Sequence, residues 1–133
     1  MKKEKSCGAV IIKDNKVLLI KQTMGHWSFP KGHVERKETE EETALREIKE
    51  ETNLDVILDT AFREVSTYSP KEGVIKDVII FIARPVNNDI KPQLEEVSEI
   101  KYLKKEEALN TITYEDDKKI LIKAFDYLDN KSN

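Results

Sequence analysis

Two short apolar runs open the chain, residues 7–12 (CGAVII) and 17–20 (VLLI), separated by the polar stretch 13–16. Both have strand length and turn formers between them, so the pattern predicts a β-hairpin turning at Asp14-Asn15. Residues 22–30 show no period and read as a loop, which holds the only Trp, Trp27. From Thr39 to Thr52 nothing breaks a helix. Thr39 followed by Glu42 is a capping box, in which hydroxyl and carboxylate satisfy first-turn N–H groups. Asn53 is a tolerable left-handed residue to close it. Residues 54–68 are β-prone, and 69–73 (SPKEG) form a turn cluster. Within 74–83 lies the longest β-branched run, 78–82 (VIIFI), predicted as a central strand buried on both faces. A loop over 84–92, an alternating strand over 99–103 and a short helix over 104–110 follow. Tyr114, Lys118, Leu121, Ile122, Phe125 and Leu128 stand close to helical spacing, predicting a last helix over 113–127 with Thr113 as N-cap. Residues 131–133 are expected to fray.

The helix after Thr39 carries an unusual charge pattern. Ala44, Leu45 and Ile48 make a narrow stripe to bury, while Glu47, Glu50 and Glu51 gather on the neighbouring face by their i, i+3, i+4 spacing. Like charges so close destabilise a helix unless something neutralises them. All-oxygen ligands of this kind suit a hard cation such as Mg²⁺ or Mn²⁺. The plainer alternative is a solvated acidic face.

The surrounding residues decide between the two. Gly32, Glu38, Arg46, Glu47, Ile48, Glu50, Glu51 and Leu54 fall in register with Gly-x5-Glu-x7-Arg-Glu-U-x-Glu-Glu-x-Gly-U, U being a bulky aliphatic. This stretch resembles the Nudix box, with one departure, Asn53 at the second Gly. So many fixed positions would coincide by accident in fewer than about one in 10⁵ chains of this length. Asn also tolerates the left-handed conformation, so the departure is mild. The resemblance implies an α/β Nudix fold, a mixed β-sheet sandwiched between α-helices, and the order of elements agrees with it. Residues 6–10 look like the family's first strand and 99–103 like its late one.

Length and charge bound the function further. At 133 residues the chain suits a single domain, here 1–133, with a modest core. A net charge of −3 argues against a general grip on DNA or long RNA, so phosphates must be attracted locally. Cys7 is the only cysteine, which excludes an internal disulfide, fits a reducing compartment and suits a small buried strand residue. No stretch approaches the roughly 20 apolar residues of a membrane span. The expectation is a cytoplasmic monomer or homodimer.

The resemblance also implies chemistry: metal-dependent hydrolysis of a phosphoanhydride in a substrate built on a nucleoside diphosphate. Glu50 and Glu51 match the family's main metal-binding carboxylates, with Glu47 a further ligand or the water-activating base and the Lys31 carbonyl an extra ligand. Arg46 is expected to orient Glu47, and Glu38 to hold the loop to the helix. One more carboxylate from outside the helix is expected, Glu96 by alignment, with Glu95 and Glu99 as alternatives. The run from Trp27 through Pro30-Lys31-Gly32-His33-Val34-Glu35 is similar to the asymmetric diadenosine tetraphosphate hydrolase branch. By that likeness Lys31 contacts phosphate, His33 contacts phosphate or a bound water, and Tyr68 stacks on a base; Tyr114, at the start of the last helix, is a candidate second ring or a core residue. His26 and Trp27 either wall the entrance or, for Trp27, pack over the sheet edge. The implied products are ATP and AMP; alternatives are pyrophosphate removal from a nucleoside triphosphate or an RNA 5′ end, and a non-catalytic nucleotide-binding module.

Overall fold

The computed structural model describes residues 1–132, and a long first strand, β1 (Lys2–Lys13), is its spine. Asp14 and Asn15 both take positive φ (51° and 65°), turning the chain into β2 (Lys16–Gln22) as the hairpin pattern requires. The stretch read as a loop contains a two-residue strand, β3 (Trp27–Ser28), on the edge of β2. The start of the box is strand: β4 (Lys31–His33) pairs antiparallel with residues 6–8 of β1. At two and three residues, neither strand is long enough to show a period.

Helix α1 (Glu40–Thr52) begins on a complete Thr39–Glu42 capping box and ends on Asn53 at φ 66°. Strands β5 (Val56–Tyr68) and β6 (Val74–Pro85) pair antiparallel, and β6 runs parallel to β1 over residues 2–11. Strand β7 (Val97–Lys104) adds to β2, and helices α2 (Lys105–Thr111) and α3 (Glu115–Ser132) complete the chain. The sheet order is β3-β2-β1-β6-β5, with β4 on β1 and β7 on β2.

Alternation along β1, β2 and β6 divides the core. Val10, Leu19, Ile80 and Ile82 face α2 and α3, whereas Cys7, Ile11, Leu18, Ile79 and Phe81 face α1. This two-sided burial is why all three runs are continuously apolar. Three expectations need correction. Leu45 is 41% exposed, because α1 buries Thr43, Ala44, Ile48, Glu51 and Thr52 instead. Thr113 does not cap α3; its hydroxyl accepts from the Trp27 N–H (2.8 Å). The last helix continues to Ser132, with Lys131 bonded to Asp59 (2.9 Å) rather than frayed; Asn133 lies outside the described residues.

Candidate active site

One turn of α1 lies under β4, and that crossing builds the site. Glu51 is 2% exposed and accepts one hydrogen bond, from the Lys31 N–H at 3.1 Å. No cation among the described residues forms an ion pair with it. Burial, with the Glu47 charge beside it, pushes the Glu51 carboxyl up to about 8. Burial raises Glu47 as well, against the pull of Arg46. Gly32 lets the backbone cross here, since a Cβ on it would fall 2.0 Å from the Glu47 carboxylate carbon.

Arg46 organises the loop. Its fork grips Glu38, Nε to Oε2 at 2.7 Å and Nη2 to Oε1 at 3.0 Å. Nη2 also donates to the His33 carbonyl (2.9 Å), and Nη1 to Glu47 (2.7 Å) and Glu50 (3.2 Å). Arg46 thus orients Glu47, as expected, through a single bond, and Glu38 takes the fork. Glu38 further accepts from the Glu35 N–H and the Thr43 hydroxyl, tying loop to helix, and its carboxyl is held down to about 2.

A cavity of about 810 Å³ opens beside these groups. Across its floor the strand registers align His33, Ser6, Val78 and Ser66, from β4 through β1 and β6 to β5. Three strand spacings of about 4.8 Å make this row ~14 Å wide, room for a chain of phosphates. Glu47 stands against Gly32 of β4 at one edge of this row and Tyr68 on β5 at the other, with Lys76 opposite Tyr68 on β6; Glu96, Lys31 and Tyr114 also line the cavity. Glu96 lines the cavity and its charge acts on both Glu47 and Glu51. Glu95 and Glu99 do not line it, and Glu99 pairs with Lys101 (3.0 Å). His26 lies against Tyr114, ring centroids 5.7 Å apart. Trp27 instead packs on the core with Lys101 over its ring.

Sequence reasoning missed Lys76 and Asp117, which both line the cavity. Burial lowers Lys76, helped by the Lys31 charge. The available signal was its place eight residues after Tyr68: the hairpin sets the two directly opposite on β5 and β6.

The donor chemistry fits a hard divalent cation: clustered carboxylate oxygens, one of them buried without a positive partner. Among the described residues no three such side chains already converge on a metal position; Arg46 holds Glu47 and Glu50.

Comparison with known proteins places this architecture. Residues 2–125 match the family model for the NUDIX domain. The asymmetrical bis(5′-nucleosyl)-tetraphosphatase of Rattus norvegicus is 30% identical over 141 aligned residues, spanning 93% of this chain and 95% of that one. An 8-oxo-(d)GTP phosphatase of Mycolicibacterium smegmatis is 36% identical over 95 residues, 71% of this chain. This chain spans 29% of the length of that enzyme, and 42% of a putative mutator protein MutT4 of Mycobacterium tuberculosis that is 30% identical over 105 residues, 77% of this chain. The crystal structure of a C. elegans Ap4A hydrolase binary complex matches with TM-score 0.86 at 28% identity, covering 96% of this chain and 98% of that one. With the box, the mixed sheet and a family match over nearly all of its length, the chain belongs to the NUDIX domain family.

Proposed function

We propose that the protein is a divalent-cation-dependent pyrophosphohydrolase that cleaves dinucleoside polyphosphates asymmetrically, diadenosine tetraphosphate giving ATP and AMP. The observation that carries this reading is the layout of one cleft. Glu47, next to the buried Glu51, stands against β4 at one edge of the cleft and exposed Tyr68 on β5 at the other, with Lys76 on β6 opposite Tyr68; Lys31 and exposed Tyr114 line the same cavity. Full-length likeness to the rat enzyme supports the same reading.

Glu47, Glu50 and Glu51, with the Lys31 carbonyl, would hold Mg²⁺ or Mn²⁺. When bound, the cation neutralises phosphate charge and polarises the phosphorus under attack. Glu47, kept basic by burial, accepts a proton from the attacking water, and Arg46 holds it in place. Glu96 adds negative charge to the same end. Lys31 and Lys76 neutralise the phosphate chain as point charges, and His33 contacts it from β4. Tyr68 and Tyr114 stack on a base, fixing which phosphorus reaches Glu47.

Likeness to the 8-oxo-(d)GTP phosphatase favours a second reading, hydrolysis of a nucleoside triphosphate. Purified protein with Mg²⁺, given dinucleoside polyphosphates, nucleoside triphosphates, nucleotide sugars and 5′-triphosphorylated RNA, separates the two when products are resolved by chromatography. ATP and AMP in equal amounts are expected from diadenosine tetraphosphate. Two ADP would contradict asymmetric cleavage, and faster turnover of a triphosphate would favour the second reading. No turnover of any substrate would leave a binding module.

A further inference from the structure

Three polar groups lining the cleft have no partner among the described residues. Ser6 is 1% exposed, and its hydroxyl makes no hydrogen bond. Lys31 and Lys76 line the same cavity, and neither ammonium takes part in an ion pair or a hydrogen bond. Buried hydroxyls are ordinarily satisfied, so one left open in a cavity points to an acceptor atom on a ligand.

Strand register sets that hydroxyl between the two cations. On β1, Ser6 stands opposite His33 of β4 and Val78 of β6. Two residues on, Gly8 is opposite Lys31; two residues back, Glu4 is opposite Lys76. One strand spacing and two residue rises put each lysine Cα about 8 Å from that of Ser6, on opposite sides. The two ammonium groups face one space, for burial and the Lys31 charge together lower Lys76. An anion between them relieves both, whereas an uncharged acceptor leaves both unpaired. A serine hydroxyl turns its proton to whichever acceptor arrives. Phosphate oxygens therefore suit all three groups at once. From this juxtaposition we propose that Ser6 binds substrate directly, its hydroxyl donating to an inner phosphate held between Lys31 and Lys76. The assignment rests on the cleft's binding a polyphosphate, as proposed above. The phosphorus under attack belongs beside Glu47, so Ser6 acts on affinity more than on the chemical step.

The test compares Ser6→Ala and Ser6→Cys with the wild type, in Mg²⁺. A hydrogen bond to a charged acceptor is worth about tenfold or more in affinity. Ser6→Ala should therefore raise KM for diadenosine tetraphosphate about tenfold and change kcat by less than about twofold. Cysteine keeps the volume but is a weak donor, so Ser6→Cys should follow Ser6→Ala. Without ligand, Ser6→Ala should melt at or above the wild-type temperature, since no bond within the fold is lost. A melting temperature lowered by several degrees, an unchanged KM in Ser6→Ala, or a wild-type KM in Ser6→Cys would overturn the assignment. Inorganic tripolyphosphate, titrated calorimetrically into the same three proteins, reads binding without turnover, and its affinity should fall about tenfold in both variants. If diadenosine tetraphosphate is not cleaved, the hydrolase reading fails, while the tripolyphosphate affinities still decide the role of Ser6.

Discussion

Gly32 and Glu47 are in contact through the absence of a side chain: a Cβ on Gly32 would lie 2.0 Å from the Glu47 carboxylate carbon and 2.1 Å from its Oε2. Gly32 does not have the positive φ that would demand glycine. Space for the carboxylate is the requirement. Gly32→Ala should therefore displace the end of a flexible side chain at little cost to folding. It should also lower kcat by roughly 10²-fold, the usual penalty for misplacing a reacting group by about an ångström. Steady-state kinetics beside a thermal melt check the split. Unchanged kcat would remove Glu47 from the reaction.

Metal-free stability should depend on pH with opposite signs on its two limbs. Glu38 and Glu40 are held down to about 2, the first by Arg46 and the second by Arg63 and Lys5. Their contribution is complete above their unfolded value of 4.5 and is lost as pH falls toward 2. Glu51 runs the other way, raised from 4.5 to about 8. The folded protein keeps a proton the unfolded chain has released, so stability falls across that window and levels beyond it. At about 1.4 kcal/mol per pH unit the loss is on the order of a few kcal/mol. Mg²⁺ should raise the melting temperature more at pH 8 than at pH 5, and Glu51→Gln should flatten the alkaline limb and abolish most of that gain. The same variant should lower kcat by on the order of 10³. A wild-type melting temperature independent of pH from 5 to 8 would contradict the buried, unpaired carboxyl.

Local rules made much of the fold legible. The hairpin turn is carried by Asp14 and Asn15, and the boundaries of α1 by Thr39, Glu42 and Asn53, all short-range signals that tertiary packing leaves intact. The box likewise pointed to the family before any geometry was known. What stayed hidden depends on partners distant in sequence. Leu45 matched an apolar stripe, yet the sheet meets α1 on the side of Thr43, Ala44 and Glu51, and nothing in helical periodicity marks a buried Glu. Arg46 does bond its neighbour Glu47, but its fork on Glu38 stayed hidden, because the loop that brings Glu38 under the guanidinium has no period to read. Lys76 and Asp117 are single charges in a strand and a helix, and only strand register and the placement of α3 bring them to the cleft.

Arg46 bonds Glu38 through two nitrogens and Glu47 through a third, so it transmits the position of the loop to the acid. A lysine cannot make these bonds together, having one point charge and no fork. Arg46→Lys should lower kcat by about 10–100-fold, as losses of supporting partners commonly do. Glu38→Gln should have a similar effect, and the double variant should be scarcely worse than either single one, because both act through the same placement. Additive losses in kcat would show that Glu38 and Arg46 serve separate purposes.

Tyr68 and Tyr114 are 44% and 53% exposed, too open for rings whose task is core packing. Removing either should leave the melting temperature close to wild type. If they hold a base, Tyr68→Ala should raise KM for diadenosine tetraphosphate roughly tenfold, since base–aromatic stacking is worth about 1–3 kcal/mol. Tyr68 stands across the cleft from Glu47, so kcat should hardly change. Tyr68→Phe keeps the stacking face and should restore the wild-type KM, which separates stacking from a hydrogen bond by the phenol. Tyr114→Ala should behave like Tyr68→Ala, with the His26 ring, 5.7 Å from Tyr114, losing its neighbour as well. An unchanged KM in both alanine variants would place the base elsewhere and leave the acids and lysines as the whole of the recognised site.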